Sequence, residues 1–130
     1  MIESEILLGD KALWCFDTEL FSRDKSRDAL HSVSGIKPFH AHAGNIILTN
    51  ETIRLTEDEM PEHYLLSSIT QLYLGFADLY IPALAKNYGL FWKPLRITFQ
   101  NNQKLYLIIG YNFITTKDRL WFKTIKDLIE

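Results

Sequence analysis

"PLRITFQNNQKLYLIIG", residues 94–110, decides how the rest of this chain is read. Leu95, Ile97 and Phe99 alternate with Arg96, Thr98 and Gln100, the period-two pattern of a strand with one face in a core. Leu105, Leu107 and Ile109 return on the same inner face. Between the two runs stands Asn101-Asn102. Asparagine tolerates positive φ, so the pair predicts a two-residue hairpin turn.

Working back towards the N-terminus, more strands appear. "FHAHAGNIILTN" and "ETIRLTE" are extended runs that turn at Asn50-Glu51, and Ile53 and Leu55 alternate with Thr52, Arg54 and Thr56. "EDEMPEH" reads as a charged, proline-containing loop. "YLLSSITQLYLGF" is rich in strand formers, and its alternation slips at Leu66 and Ile69, which predicts a bulge or bend near Ser67-Ser68. The first third is less regular. "EILLG" and "ALWCF" read as short strands around Gly9-Asp10, and residues 22–36 as a connection with a helical turn.

Beyond the hairpin, "TTKDRLWFKTIKDLIE" closes the sequence as a helix. Thr115 or Thr116 can cap it, and Asp118 suits its positive N-terminal end. Trp121, Ile125, Leu128 and Ile129 form one apolar stripe at i, i+4, i+7 and i+8. A short helix with a tryptophan on its apolar side needs a sheet mouth to receive it. Strands followed by one terminal helix define a mainly β chain with a C-terminal α-helix, not an alternating α/β sheet.

The totals agree with a single domain. A chain of 130 residues with 47% hydrophobic side chains buries roughly two-thirds of its unfolded surface without metal or disulfide staples. The lone Cys15 has no partner for an internal disulfide and reads as a buried structural thiol. Its solitude, the acidic start "MIESEILLGD" and the lack of any membrane-length apolar run place the protein in the cytoplasm, with no transmembrane segment. The net charge of −2 hides an asymmetry: residues 1–85 hold 6 basic and 13 acidic side chains, and residues 86–130 hold 8 and 3. A basic back half could meet an acidic partner or anionic lipid. Interleaving of the halves in space would cancel the field.

Four of these pieces resemble the pleckstrin-homology-like superfamily, particularly its GRAM-type and bacterial members. "AGNIILTNETIRLTED" is similar to the family's opening hairpin and "LLSSITQL" to the strand that follows. "LRITFQNNQKLYLII" resembles the later hairpin, and "DRLWFKTIKDL" the terminal helix with its tryptophan. The resemblance spans residues 36–130, which leaves residues 1–35 as an N-terminal extension of the same domain. It implies a bent, nearly closed antiparallel barrel of seven strands capped by one helix, with Trp121 as the plug. It also implies a non-catalytic binding or scaffolding module, peripheral to the membrane where such members bind lipid. The family's inositide-binding members use basic residues in the first hairpin loop. Here that loop is "TNET", which has none.

The histidines raise the alternative of a metal site. His40 and His42 stand one residue apart, a spacing that on a strand points both rings one way. A zinc site needs three or four protein ligands. A cupin-like set would place a Glu at position 46 or 47, where Ile46 and Ile47 stand, and no histidine follows His63. The pair therefore reads as imidazoles on a solvated edge strand, where they discourage edge-to-edge pairing, and no metal, cofactor or catalytic residue is expected. The acidic run Glu57, Asp58, Glu59 and Glu62 lacks the spacing and glycine of a calcium loop and reads as a solvated turn. No phosphate-binding loop, dinucleotide fingerprint or nucleophile elbow occurs.

What remains is "LYLGFADLYIPALAKNYGLFWKP". Phe76, Tyr80, Tyr88, Phe91 and Trp92, with Lys86 and Lys93, make an aromatic and basic surface. Such a surface suits a protein partner or a second copy of the chain; core placement of the rings is the plainer alternative. Anionic lipid is a second reading of the same face, and an enzyme with a pocket inside the barrel a third. Nucleic acid is not expected, because arginines are sparse and the overall charge is negative.

Overall fold

The computed structural model describes residues 5–21, 40–75, 93–111 and 116–130. Among the described residues seven strands form one antiparallel sheet: β1 (Ile6–Phe16), β2 (His42–Thr49), β3 (Thr52–Glu57), β4 (Met60–Leu65), β5 (Ile69–Leu74), β6 (Leu95–Phe99) and β7 (Lys104–Ile109). Their spatial order is β4-β3-β2-β1-β7-β6-β5. Helix α1 (Asp17–Phe21) follows β1, and α2 (Asp118–Ile129) packs against β5, β6 and β7. The architecture is the expected one: a mainly β half-barrel whose curled sheet is capped by a C-terminal helix.

The curl begins at β1. Its residues from Ile6 to Trp14 pair with β2, and those from Ala12 to Phe16 pair with β7, so one long strand serves both halves of the sheet. This corrects one expectation. Gly9-Asp10 is no turn between short strands, because Gly9 and Asp10 pair with Ile47 and Ile46 in a ladder that is continuous from Leu8 to Trp14. Within the N-terminal extension, β1 supplies the central strand of the sheet. Gly44 marks a close approach beside it: a Cβ at this position would fall 1.9 Å from the carbonyl oxygen of Thr56. Gly44→Ala must therefore push backbone against backbone, and a loss of about 2 kcal/mol is expected in chemical denaturation.

The outer edges are β4 and β5. Between them a 3-10 turn, Leu66–Ser68, makes the predicted bend and carries the chain from one edge to the other. The Leu66 N–H donates to the Glu51 carbonyl at 2.8 Å, Gln100 N–H to Ser68 at 2.9 Å, and the Tyr64 and Phe99 rings stack across the gap at 5.1 Å. β4 replaces the loop expected over "EDEMPEH". Asp58 and Glu59 both take positive φ, 50° and 65°, which makes a tight two-residue turn with a residue common there, Asp, followed by one rarely chosen, Glu. In such a hairpin Glu57 and Met60 are the hydrogen-bonded pair, so Pro61, opposite Thr56, turns its nitrogen outward. An edge strand tolerates proline there, and the missing N–H discourages a further strand from adding.

The β6–β7 hairpin has the predicted inner face, with Leu95, Ile97, Phe99, Leu105, Leu107 and Ile109 all buried. Its turn is one residue longer than expected. Phe99 N–H donates to Gln103, Asn102 N–H donates to Phe99, and only Asn102 is left-handed, at φ 64°. That is a three-residue loop with asparagine in the usual glycine place.

The core fills the concave side of the sheet. Ile46, Leu48, Ile53 and Leu55 meet Leu95, Ile97 and Leu107, and Trp121 and Ile125 close the open end, both fully buried. Leu128 and Ile129, expected on the same stripe, are 36% and 38% exposed. They lie in the last turn, beyond the sheet mouth. Thr115 lies outside the described residues, while Thr116 Oγ1 accepts the Asp118 N–H at 3.3 Å.

Candidate functional site

Asp118 stands in the first turn of α2, the place its charge suits, and is wholly buried there, at 1% exposure. One carboxylate oxygen accepts the Ile109 N–H at 2.6 Å and the other the Leu95 N–H at 3.0 Å, so the side chain ties α2 to β6 and β7. Burial raises its pKa well above the usual 3.8, with those two N–H groups and Thr116 pulling the other way. Close by, Trp121 Nε1–H donates to Asp10 at 3.0 Å, and Lys117 Nζ meets the other oxygen of Asp10 at 3.1 Å. These groups hold the cork and turn no side chain towards a ligand.

The second polar cluster surrounds His42. β2 is an interior strand between β1 and β3, so the expectation of imidazoles guarding an edge is corrected. His40 precedes the strand, and only His42 belongs to it. The His42 ring stacks on Trp14 with centroids 5.9 Å apart and meets the edge of Phe16 at 6.2 Å. Its Nδ1 lies 2.8 Å from Glu57 Oε1, and its Nε2 lies 2.7 Å from Glu19 Oε2. Each carboxylate is held from behind: Glu57 accepts the Ala43 N–H at 3.2 Å, and Glu19 accepts the Phe16 N–H at 2.8 Å, three residues back across the start of α1.

Ionised carboxylates only accept hydrogen bonds, so each contact is a hydrogen bond only when the facing ring nitrogen carries hydrogen, and the pair of carboxylates favours the imidazolium form of His42. Partial burial opposes that charge, but the bonds and charges of Glu57 and Glu19 outweigh it and raise the pKa above 6.5. The bond to His42 in turn lowers Glu57 below 4.5, against some burial and with help from Ala43 N–H. A ring with both nitrogens engaged has no lone pair for a metal or for a substrate proton. Among the described residues no group of three or more His, Cys, Asp or Glu has metal-binding geometry.

Beside the ring lies a cleft of about 110 Å³ bounded by Trp14, Phe16, Leu55, Met60, Glu57 and Glu62. A larger open depression of about 460 Å³ includes Lys11, Leu13, Asn45 and Ile108 in its lining. The acidic run does not converge on one point. Asp58 and Glu59 form the turn, Glu57 faces His42, and Glu62 accepts the Tyr64 hydroxyl at 2.7 Å. Of the expected partner surface, Phe76, Tyr80, Lys86, Tyr88, Phe91 and Trp92 lie outside the described residues. Lys93 is exposed just before β6.

Glu57 was partly legible in advance. Folding the β2–β3 hairpin in its register, Asn45 opposite Thr56, sets Glu57 diagonally across from His42. No sequence signal connects Glu19 to either.

No family model matches this chain. No curated protein matches it either. Among solved structures it is similar to the C-terminal domain of an unknown protein from Leishmania infantum, with a TM-score of 0.55 at 9% identity, over 98% of this chain and 86% of that one. At that identity the likeness is one of fold alone.

Proposed function

We propose that this chain is a non-catalytic, pleckstrin-homology-like binding or scaffolding module that engages a protein partner, or a second copy of itself, through residues 76–93. The observation that carries this reading is the base of that segment. The Gly75 N–H donates to the Pro94 carbonyl at 3.0 Å, so residues 76–92 leave β5 and return to β6 at one point of the sheet. A turn of a few residues is enough to join paired antiparallel strands, so a segment of this length offers side chains beyond what the connection needs. This one holds five aromatic side chains, with Lys86 and the exposed Lys93 beside the later ones.

Two further observations support it. The concave side of the sheet is packed with side chains under a buried tryptophan, which favours recognition on the outside. A seven-stranded sheet with a terminal helix is compatible with the barrel that the family resemblance implies, with β1 supplied from outside residues 36–130. A cytoplasmic site of action belongs to the same proposal. In the described residues no helix is long and apolar enough to cross a membrane.

The test pairs Tyr88→Ser/Trp92→Ser with Lys86→Glu/Lys93→Glu. Loss of the two rings is expected to weaken self-association in sedimentation equilibrium, or capture of a partner from extract, by about thirtyfold, as for hot-spot residues. Association unchanged by the ring variant contradicts the proposal. Binding to phosphatidylserine vesicles that disappears with the charge reversal and with high salt would transfer the face to lipid.

A further inference from the structure

We propose that Glu19, His42 and Glu57 form a proton-operated clasp that fastens α1 to the sheet. The three groups come from three elements, α1, β2 and β3, and meet at 2.7 and 2.8 Å. Both contacts are made only while the ring carries two hydrogens. A neutral imidazole keeps one N–H, and its other nitrogen then points a lone pair at a carboxylate oxygen. One of the two contacts must open.

The weaker attachment is α1. Glu57 sits on β3, in continuous register with β2, and moving it would break a ladder. Glu19 rides on a helix of five residues, too short to hold itself without tertiary contacts. A second anchor is Leu20, fully buried, where α1 meets β1 and β7. Release of Glu19 therefore loosens the hold of α1 on the sheet.

The charges facing His42 are accounted for element by element. Glu19 comes from α1 and Glu57 from β3, while Glu62 of β4 borders the same cleft with one oxygen taken by Tyr64. β1 contributes only the uncharged Trp14 and Phe16, and His40 stands two residues earlier on the chain. Carboxylates thus dominate the surroundings, and protonation of His42 relieves them. The sign follows by linkage. His42 is raised from 6.5, so its contribution is complete below 6.5 and disappears as pH rises through the folded pKa. Glu57 is lowered from 4.5, so its share is complete above 4.5 and disappears as pH falls through its folded pKa. The clasp is tightest between these two ordinary values and opens on the alkaline side, within the range where histidine acts as a switch.

The experiment is a pH titration of the wild-type chain by NMR, following the His42 ring nitrogens and the amide protection of Phe16 and Leu20, each corrected for intrinsic exchange. The expected result is a ring that remains doubly protonated above the ordinary histidine range and α1 protection that falls about fivefold as it titrates. Glu19→Gln offers the neutral ring a donor in place of a carboxylate. It should lower the His42 pKa and flatten the pH dependence of α1 while leaving the sheet amides protected. A His42 pKa at or below the ordinary value, or α1 protection that does not change as the ring titrates, overturns the clasp.

Discussion

Trp121→Ala is expected to remove about 3–5 kcal/mol of stability and lower the melting temperature by roughly 15 °C. The indole is fully buried at the open end of the curled sheet, among Leu95, Leu107, Ile109 and Ile125. Those strand residues come from the two hairpin arms that α2 covers, so no single neighbour can collapse into the space left by the ring. Trp121→Phe separates the two roles of the side chain. It keeps much of the apolar volume but gives up the Nε1–H bond to Asp10, a charge-assisted contact that contributes about 2 kcal/mol. A loss well below that of alanine is therefore expected for phenylalanine. It should shrink further when Asp10 is also replaced, because the two residues share one interaction. Urea denaturation of the four proteins supplies the cycle.

Asp118→Ala is expected to cost nearly as much. Its two oxygens are the acceptors for the backbone N–H groups of Leu95 and Ile109, and no water replaces them at 1% exposure. Each N–H left buried and unpaired costs about 1–3 kcal/mol, so a total near 4 kcal/mol follows. Asp118→Asn does not rescue it fully, since the amide offers one acceptor and turns a donor towards the second N–H. The pH dependence carries the same signature. Because burial raises the folded pKa above 3.8, the folded state binds more protons than the unfolded chain just above that value. The contribution of Asp118 is complete below 3.8 and declines as pH rises through the folded pKa. Stability measured against pH should lose that decline in Asp118→Asn.

Alternation and the terminal stripe were enough to predict the hairpins of β2–β3 and β6–β7, the bend at Ser67-Ser68 and the helix of Trp121. These are local signals, each written within about fifteen residues. What the sequence hid depends on contacts distant along the chain. Gly9-Asp10 has the composition of a turn, yet Asp10 belongs to a central strand because its carboxylate receives Trp121 and Lys117 from more than a hundred residues away. "EDEMPEH" has the composition of a loop, yet it pairs as β4 because an edge strand accepts Pro61 and exposed charge. Helix α1 is too short for any period to show. His42 drew attention through its neighbour His40. Its working partners are Glu57, found by hairpin register, and Glu19, found only when β1 and β2 lie side by side.

The indole is the cork of the half-barrel, and hydrogen exchange at the assigned Trp121 Nε1–H under native conditions tests that role most directly. The predicted result is a proton that exchanges only when the whole domain unfolds, with the same denaturant slope as global unfolding. Exchange at the rate of a free indole would place the ring in water and contradict the fold, the role of Asp10 and the packing of α2 together.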